Sequence, residues 1–323
     1  PPSTELTSVF STADSARFSW SPGDSSLAYN WFIVPANASP DSANYIQSGT
    51  VSADSVTITG LDTLVSYDFY LADVCLLDTS TNLVGPFKAG LKGLVSVGGS
   101  NPVFADGDEL IDALAERGLR SPTTIELRNG TYQGPIVIPA GATDAQRTLE
   151  IRGESRDGVV LTHSGGGQRY ATLTVASPYV TVRNLTVENT GGTDAWGVHF
   201  TDDTKLDSLI DCDIRVDSNA TFDAIGVVVS GSPTSETSSG GNDSIYVGNC
   251  FVIGGEKNIH VEGDGGFPNV GSGHTIENSE LVLADDHYIE ADDLVGFVIR
   301  NNVMRDVRSD FEDNVTITDV DAI

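Results

Sequence analysis

The chain has 323 residues, with 46 Asp or Glu against 17 Lys or Arg and a formal net charge of −29. Such a field excludes nucleic acid and anionic membrane surfaces as partners, and no apolar run reaches the ~18 residues that mark a membrane-inserted span. Four of the basic residues are lysine (Lys88, Lys92, Lys205 and Lys257), and that scarcity beside a dense carboxylate surface points to a salt-adapted source, where self-repulsion is screened.

Residues 1–92 alternate apolar and polar positions over 16–21, 27–34, 55–59 and 66–74, between turn signals, which predicts an antiparallel β-sandwich. Trp20, Trp31, Leu61 and Tyr67 fall where they give this segment a resemblance to a fibronectin type III domain. The resemblance implies that the tyrosine locks a corner by bonding back to the backbone. A domain of that kind implies spacing or presentation rather than chemistry.

Residues 88–100 read as the junction to a second domain, 93–323. Apolar residues at Leu110, Ile111 and Leu114 predict a short amphipathic helix over 108–117, with Asp108 as N-cap, Gly118 at its end, and a role in covering the open end of the second domain. The remainder repeats one phrase: a β-branched run, an Asn or Asp turn, then a second short strand. It occurs at 180–186, 208–214, 245–252, 275–282 and 297–304, and its turn residues Asn184, Asp211, Asn249, Asn278 and Asn301 are spaced by 27, 38, 29 and 23. A period in the twenties with insertions is the signature of a β-solenoid whose coils share one continuous core. The predicted fold class is therefore all-β: a fibronectin III-like β-sandwich followed by a β-solenoid. The Ser/Gly/Thr-rich stretch 230–242 accounts for the 38-residue spacing and is expected to be a mobile loop.

The chain has three cysteines (Cys75, Cys212 and Cys250) with neither a disulfide framework nor metal spacing, and the last two are expected to stack on adjacent coils as small buried hydrophobes. Six Asn-x-Ser/Thr sequons begin at Asn37, Asn129, Asn184, Asn219, Asn242 and Asn314 and would be glycan acceptors outside the cell.

Several pieces of the second domain resemble the pectin methylesterase branch of the pectin-lyase-like β-helix superfamily. Residues 108–113 are similar to that family's opening helix, 124–133 to its first coil, and 171–192 most of all; the resemblance spans roughly 104–265. It implies that the solenoid is a right-handed parallel β-helix related to carbohydrate, but the residues that would carry the family's ester hydrolysis differ. Trp196 stands where the resemblance implies an oxyanion-stabilising Gln, residues 218–220 (Ser-Asn-Ala) where it implies an acid Asp, and Lys257 where it implies the nucleophilic Asp. Both carboxylates of that route are missing.

Strict alternation places His199, Val228, His260 and Tyr288 in one outward ladder, with Thr201, Ser230, Glu262 and Glu290 in a second. Together with Trp196, these residues would form a shallow sugar-binding surface. Glu262, Asp264, Glu290 and Asp292 converge as hard oxygen ligands suited to Ca²⁺. Lys257 is read as a surface ion pair with Glu256. The expected function is a non-catalytic extracellular protein, on a cell surface or a virion appendage, presenting the β-helix face to a glycan, a surface protein or further copies of itself as a homo-oligomer. The alternative is a secreted lyase or hydrolase acting on an acidic polysaccharide.

Overall fold

The computed structural model describes residues 6–12, 15–21, 28–35, 38, 41–62, 65–74, 79–88, 91–100, 102–164, 170–192, 194–202, 204–217, 224–263, 271–305 and 315–317. The chain divides into two compact units, residues 1–92 with 117–121, and residues 93–116 with 122–323.

The first unit is built from two antiparallel sheets. One holds Leu6–Thr12, Ser15–Trp20 and Ser55–Thr59; the other orders Gln47–Val51, Ala28–Pro35, Ser66–Val74 and Thr79–Lys88. Alternation in the sequence becomes alternation in burial: Ala16, Phe18 and Trp20 point inward while Arg17 is exposed. Both sheets contribute to one core, in which Phe18 and Phe69 stack with ring centroids 4.0 Å apart. The buried Tyr67 hydroxyl accepts a hydrogen bond of 2.8 Å from the Asp62 amide, which fixes the chain as it enters the following strand.

The second unit opens with the helix Gly107–Arg117. Its N-cap is Asp106, not Asp108: the Glu109 amide donates to Asp106 Oδ1 at 3.1 Å, and the Ala105 amide donates to Glu109 Oε2 at 2.8 Å. The Asp106 bond satisfies an otherwise orphaned donor of the first turn, and the Glu109 bond ties the preceding chain to that turn. Leu110, Ala113 and Leu114 are buried, and Gly118 ends the helix with φ +59°.

The rest of the unit is a parallel β-helix with three sheets. The first stacks Leu119–Leu127, Leu149–Gly153, Val180–Arg183, Ser208–Ile210, Tyr246–Gly248, Thr275–Glu277 and Val298–Arg300, with Leu91–Val97 at its edge. The second stacks Gly130–Gln133, Val159–His163, Thr186–Asn189, Asp213–Val216, Phe251–Ile253, Glu280–Val282 and Val303–Arg305. The third stacks Ile136–Ile138, Tyr170–Val175, Ala195–Phe200, Ile225–Val229, Lys257–Glu262, His287–Asp292 and Val315–Ile317.

Between the first and second sheets the chain turns at Asn184, Asp211, Asn249, Asn278 and Asn301, all left-handed with φ between 52° and 56°. Asn and Asp tolerate that conformation better than other side-chain-bearing residues, which is why the repeat is visible in the sequence. The turn amides of Asn184, Asp211, Asn249 and Asn278 each donate to a carbonyl of the next coil: Ile210, Gly248, Glu277 and Arg300. The following position points inward, and Cys212 and Cys250 occupy it, 0 % and 2 % exposed. Core Val, Ile and Leu side chains are almost fully buried, each contributing roughly 1.5–3 kcal/mol over an exposed position.

Candidate functional site

The third sheet holds most of the residues singled out in the sequence, and it differs from the expectation in register and in burial. In register, His199 pairs with Val228, Val228 with His260, and His260 with Glu290, so Glu290 rather than Tyr288 completes the ladder. Glu262 pairs with Asp292. Tyr288 is 1 % exposed, and its hydroxyl donates to the Arg305 carbonyl of the second sheet, so it belongs to the interior. Strict alternation fails where these strands begin. A Cβ on Gly197 would lie 2.6 Å from core Ile214, and one on Gly226 would lie 2.5 Å from core Val252; these glycines share a column with Asn258 and Tyr288.

The residues expected on a shallow sugar-binding surface are buried. Trp196, His199, Val228 and His260 are each 2 % exposed or less, and Glu262 is 8 % exposed. Segment 230–242, expected to be a mobile loop, packs closely: Glu236 and Asn242 are buried, and Gly231 and Gly240 lie so close that a Cβ on either would strike the other strand of the segment. Its Glu236 carbonyl lies 3.0 Å from His260 Nε2.

Beneath that segment lies a compact ion cluster. His260 Nδ1 is 2.7 Å and Lys257 Nζ 2.5 Å from the same Glu290 Oε2, while Glu262 Oε2 is 3.6 Å from His260 Nε2. Lys257 thus pairs with Glu290, and its expected surface pairing with Glu256 is replaced. Hydrogen bonding from His260, reinforced by Lys257, outweighs burial and holds the Glu290 carboxyl down at about 2. Burial alone would lower the His260 proton affinity, but hydrogen bonds to Glu262 and Glu290 prevail and raise it. Two rungs away, burial pushes His199 down to about 3, so its ring is neutral. It stacks edge-on against Trp196 at 4.9 Å, with Nε2 2.9 Å from Ser230 Oγ.

For Ca²⁺, Glu262 and Glu290 already face the chain's own cations, and Asp264 lies outside the described residues. Among the described residues no group of three or more carboxylates, imidazoles or thiols is arranged to hold a metal ion.

Among the described residues, a surface that can receive a ligand lies on the first sheet, which sequence reading passed over. Its outward positions run in register through Thr124, Glu150, Thr181, Ser208, Tyr246 and Thr275. All are half-buried, on rungs about 4.8 Å apart. At one end of this stripe opens a groove of about 420 Å³, lined by Thr123, Thr124, Thr148, Glu150, Thr181, Tyr179 and Leu206 among others. Thr124 Oγ1 donates to Glu150 Oε2 at 3.1 Å.

Tyr179 and Leu206 enter the groove from consecutive coils, both left-handed with φ 62° and 57°, and Leu206 remains 53 % exposed. The later rungs of their column hold Gly273 and Gly296, which adopt φ > 0 without strain. Asp207 ties the two together: its Oδ1 accepts from the Val180 amide at 2.7 Å, and burial raises its carboxyl to about 7. The hydroxyl ladder was present in the sequence, but bulky residues at φ > 0 leave no sequence signal.

No protein-family model matches the chain, and no curated protein matches it. Among solved structures it is similar to a pectin methylesterase from Erwinia chrysanthemi, at 15 % identity over 63 % of this chain and 66 % of that one, with a TM-score of 0.40. It is also similar to the deglycosylated pectin methylesterase from Aspergillus niger, at 17 % identity over 72 % of this chain and 91 % of that one, with a TM-score of 0.42. A tailspike protein from an Acinetobacter baumannii bacteriophage, a capsular polysaccharide depolymerase, is 12 % identical over 79 % of this chain and 54 % of that one, with a TM-score of 0.40.

Proposed function

We propose that the chain is a non-catalytic extracellular glycan-binding protein whose site is the hydroxyl-lined groove of the first sheet. The observation that carries this reading is the pairing of Thr124, Glu150 and Thr181 on the groove floor with Tyr179 and Leu206 at its walls. Hydroxyls and a carboxylate suit sugar hydroxyls, while an aromatic and an aliphatic side chain suit the C–H faces of a ring. Arg152 and Arg183, beside the floor, face Glu126 and Asp211 within the chain. With a net charge of −29, that leaves a neutral glycan favoured over a polyanion.

The non-catalytic part rests on where the displaced proton affinities lie. His199, His260, His274, Glu290 and Asp207 carry the large shifts or the close ion contacts, and none of them lines the groove. Trp196 and Lys257, where the sequence resemblance implies working residues, are buried or paired.

A second reading, a polysaccharide lyase or hydrolase, has one observation in its favour: Tyr246 donates to Glu277 at 2.8 Å on the same stripe, and Glu277 also meets Arg300. The chemistry runs against it. Burial and the Glu277 hydrogen bond raise the Tyr246 phenol, and Arg300 lowers the Glu277 carboxyl, so neither group is poised as a base near neutrality.

The first unit fits the same reading as a fibronectin III-like spacer, supported by its three-plus-four strand order and the Tyr67 bond. The salt-adapted cell-surface or virion setting is supported by the charge alone, and self-association is left to the assembly state in solution.

The test is binding of the full chain to panels of neutral and anionic polysaccharides in high salt, with product analysis on the same samples. Binding to a neutral glycan, weakened about tenfold (~1.4 kcal/mol) by Glu150→Gln and by Tyr179→Asn, is expected. Release of new reducing or unsaturated ends, abolished by Tyr246→Phe, would transfer the case to the enzyme reading. Absence of binding across the panel would remove the glycan reading altogether.

A further inference from the structure

The six sequons are not equivalent once folded. Three of them, at Asn129, Asn184 and Asn242, fall among the described residues. Asn242 is 0 % exposed, and its Oδ1 accepts from the Thr204 amide at 3.0 Å, leaving no room for a sugar. Asn184 spends its amide nitrogen on the Gly153 carbonyl, at 2.8 Å, in the left-handed turn that joins two sheets. A glycan there would have to break that bond and enter a crowded place, since even a Cβ on Gly153 would lie 2.2 Å from the Asn184 carbonyl.

Asn129 differs on each count. It is exposed, in the turn before Gly130–Gln133, a strand at the edge of the second sheet, and the hydroxyl-bearing Thr131 of its sequon is exposed as well. Its Oδ1 accepts from Ser155 Oγ at 2.7 Å, and its backbone amide donates to Glu154 Oε2 at 3.0 Å. Those two bonds fix the side chain by its oxygen and backbone, while the amide nitrogen makes no bond to any described residue. The residue also borders a cleft of about 360 Å³ lined by Gly98, Gly99, Asp106, Asp108 and Gln133. The first sugar of a glycan would leave the asparagine along a concave polar surface, not into packed chain.

We infer that Asn129 is a modification site: the sequon, among those described, at which the folded β-helix accepts an N-linked glycan through the amide nitrogen. In nature this rests on the extracellular reading above. The acceptor geometry does not, and forced secretion tests it separately.

The experiment is expression of the full chain through the secretory pathway of a glycosylating host, with glycopeptide and intact-mass analysis of the folded fraction. Asn129 is expected to carry a glycan and Asn184 and Asn242 to be bare. Asn129→Gln and Thr131→Ala are each expected to remove the mass of one glycan. The threonine change retains Asn129 and its two bonds, so it reports occupancy even where the asparagine change impairs folding. A bare Asn129 in the secreted folded chain, or a glycan on Asn184 or Asn242, would overturn the assignment. Binding to the polysaccharide panel is a separate measurement, so loss of the glycan-binding reading leaves this result standing.

Discussion

His260 is surrounded by acceptors: the Glu290 carboxylate at Nδ1, and the Glu236 carbonyl with the Glu262 carboxylate at Nε2. A neutral ring carries one N–H and satisfies only one side, so the geometry calls for imidazolium. Its folded-state proton affinity is raised, so the stability it contributes is present below the unfolded value and is lost as pH rises through the folded one. Glu290 has the opposite sign. Its contribution is present above the ordinary value of 4.5 and disappears as pH falls through about 2. Urea midpoints taken from acid to alkaline pH are expected to fall at both extremes. His260→Gln should flatten the alkaline limb and cost about 2 kcal/mol at neutral pH; an unchanged alkaline limb would show that the ring titrates elsewhere.

Leu206 makes a second prediction at this scale. Its left-handed backbone costs about 1–2 kcal/mol for an L-residue, and its half-exposed side chain recovers little of that by burial. Leu206→Asn is expected to raise the melting temperature while weakening glycan binding, because the strained residue forms a wall of the groove. A variant that is stabilised and binds unchanged would remove Leu206 from the site.

At the scale of elements, the solenoid is held by two left-handed columns of different legibility. The Asn and Asp column from Asn184 to Asn301 announces itself by residue type. The column of Tyr179, Leu206, Ser244, Gly273 and Gly296 is left-handed at every rung as well, yet nothing in its composition marks it. Segment 230–242 shows the same limit from the other side. Its Ser/Gly/Thr content reads as a loose linker, but those small residues permit the close approach of Gly231 and Gly240 and bring Glu236 over His260. Gly240→Ala would set a Cβ 2.3 Å from the Gly231 Cα. It is expected to cost about 1–3 kcal/mol and to speed amide exchange throughout 230–242, with the first-sheet strands unaffected. Equal loss of protection in the first sheet would mean that the segment and the coils unfold as one.

For the whole molecule, the dominant quantity is the charge of −29. Interspersed pairs such as Arg152–Glu126 and Arg183–Asp211 offset a fraction of it, and exposed pairs of that kind contribute at most about 1 kcal/mol each. The remaining self-repulsion falls with the Debye length. The melting temperature is therefore expected to rise steadily from millimolar to multimolar salt. A flat profile would count against the salt-rich setting. Light scattering across the same series reads the assembly state that the surface or appendage setting requires.

The sequence by itself determined the β-helix, the coil repeat, the antiparallel strands of the first unit and the inward path of Cys212 and Cys250. Those features obey local rules: alternation of apolar residues, and the tolerance of Asn and Asp for positive φ. It also placed His260 and the Glu262, Glu290 pair on adjacent ladders of one sheet, while the pairing of His260 with Glu290 came from the register. Tertiary structure alone decided that this neighbourhood is buried, because covering it depends on where segment 230–242 folds back. It decided as well that Tyr288 turns inward, since one non-alternating step at the start of a strand reverses a face. The groove was out of reach for the same reason: Thr124, Glu150, Tyr179 and Leu206 are far apart in sequence, and only the stacking of coils brings them to one surface.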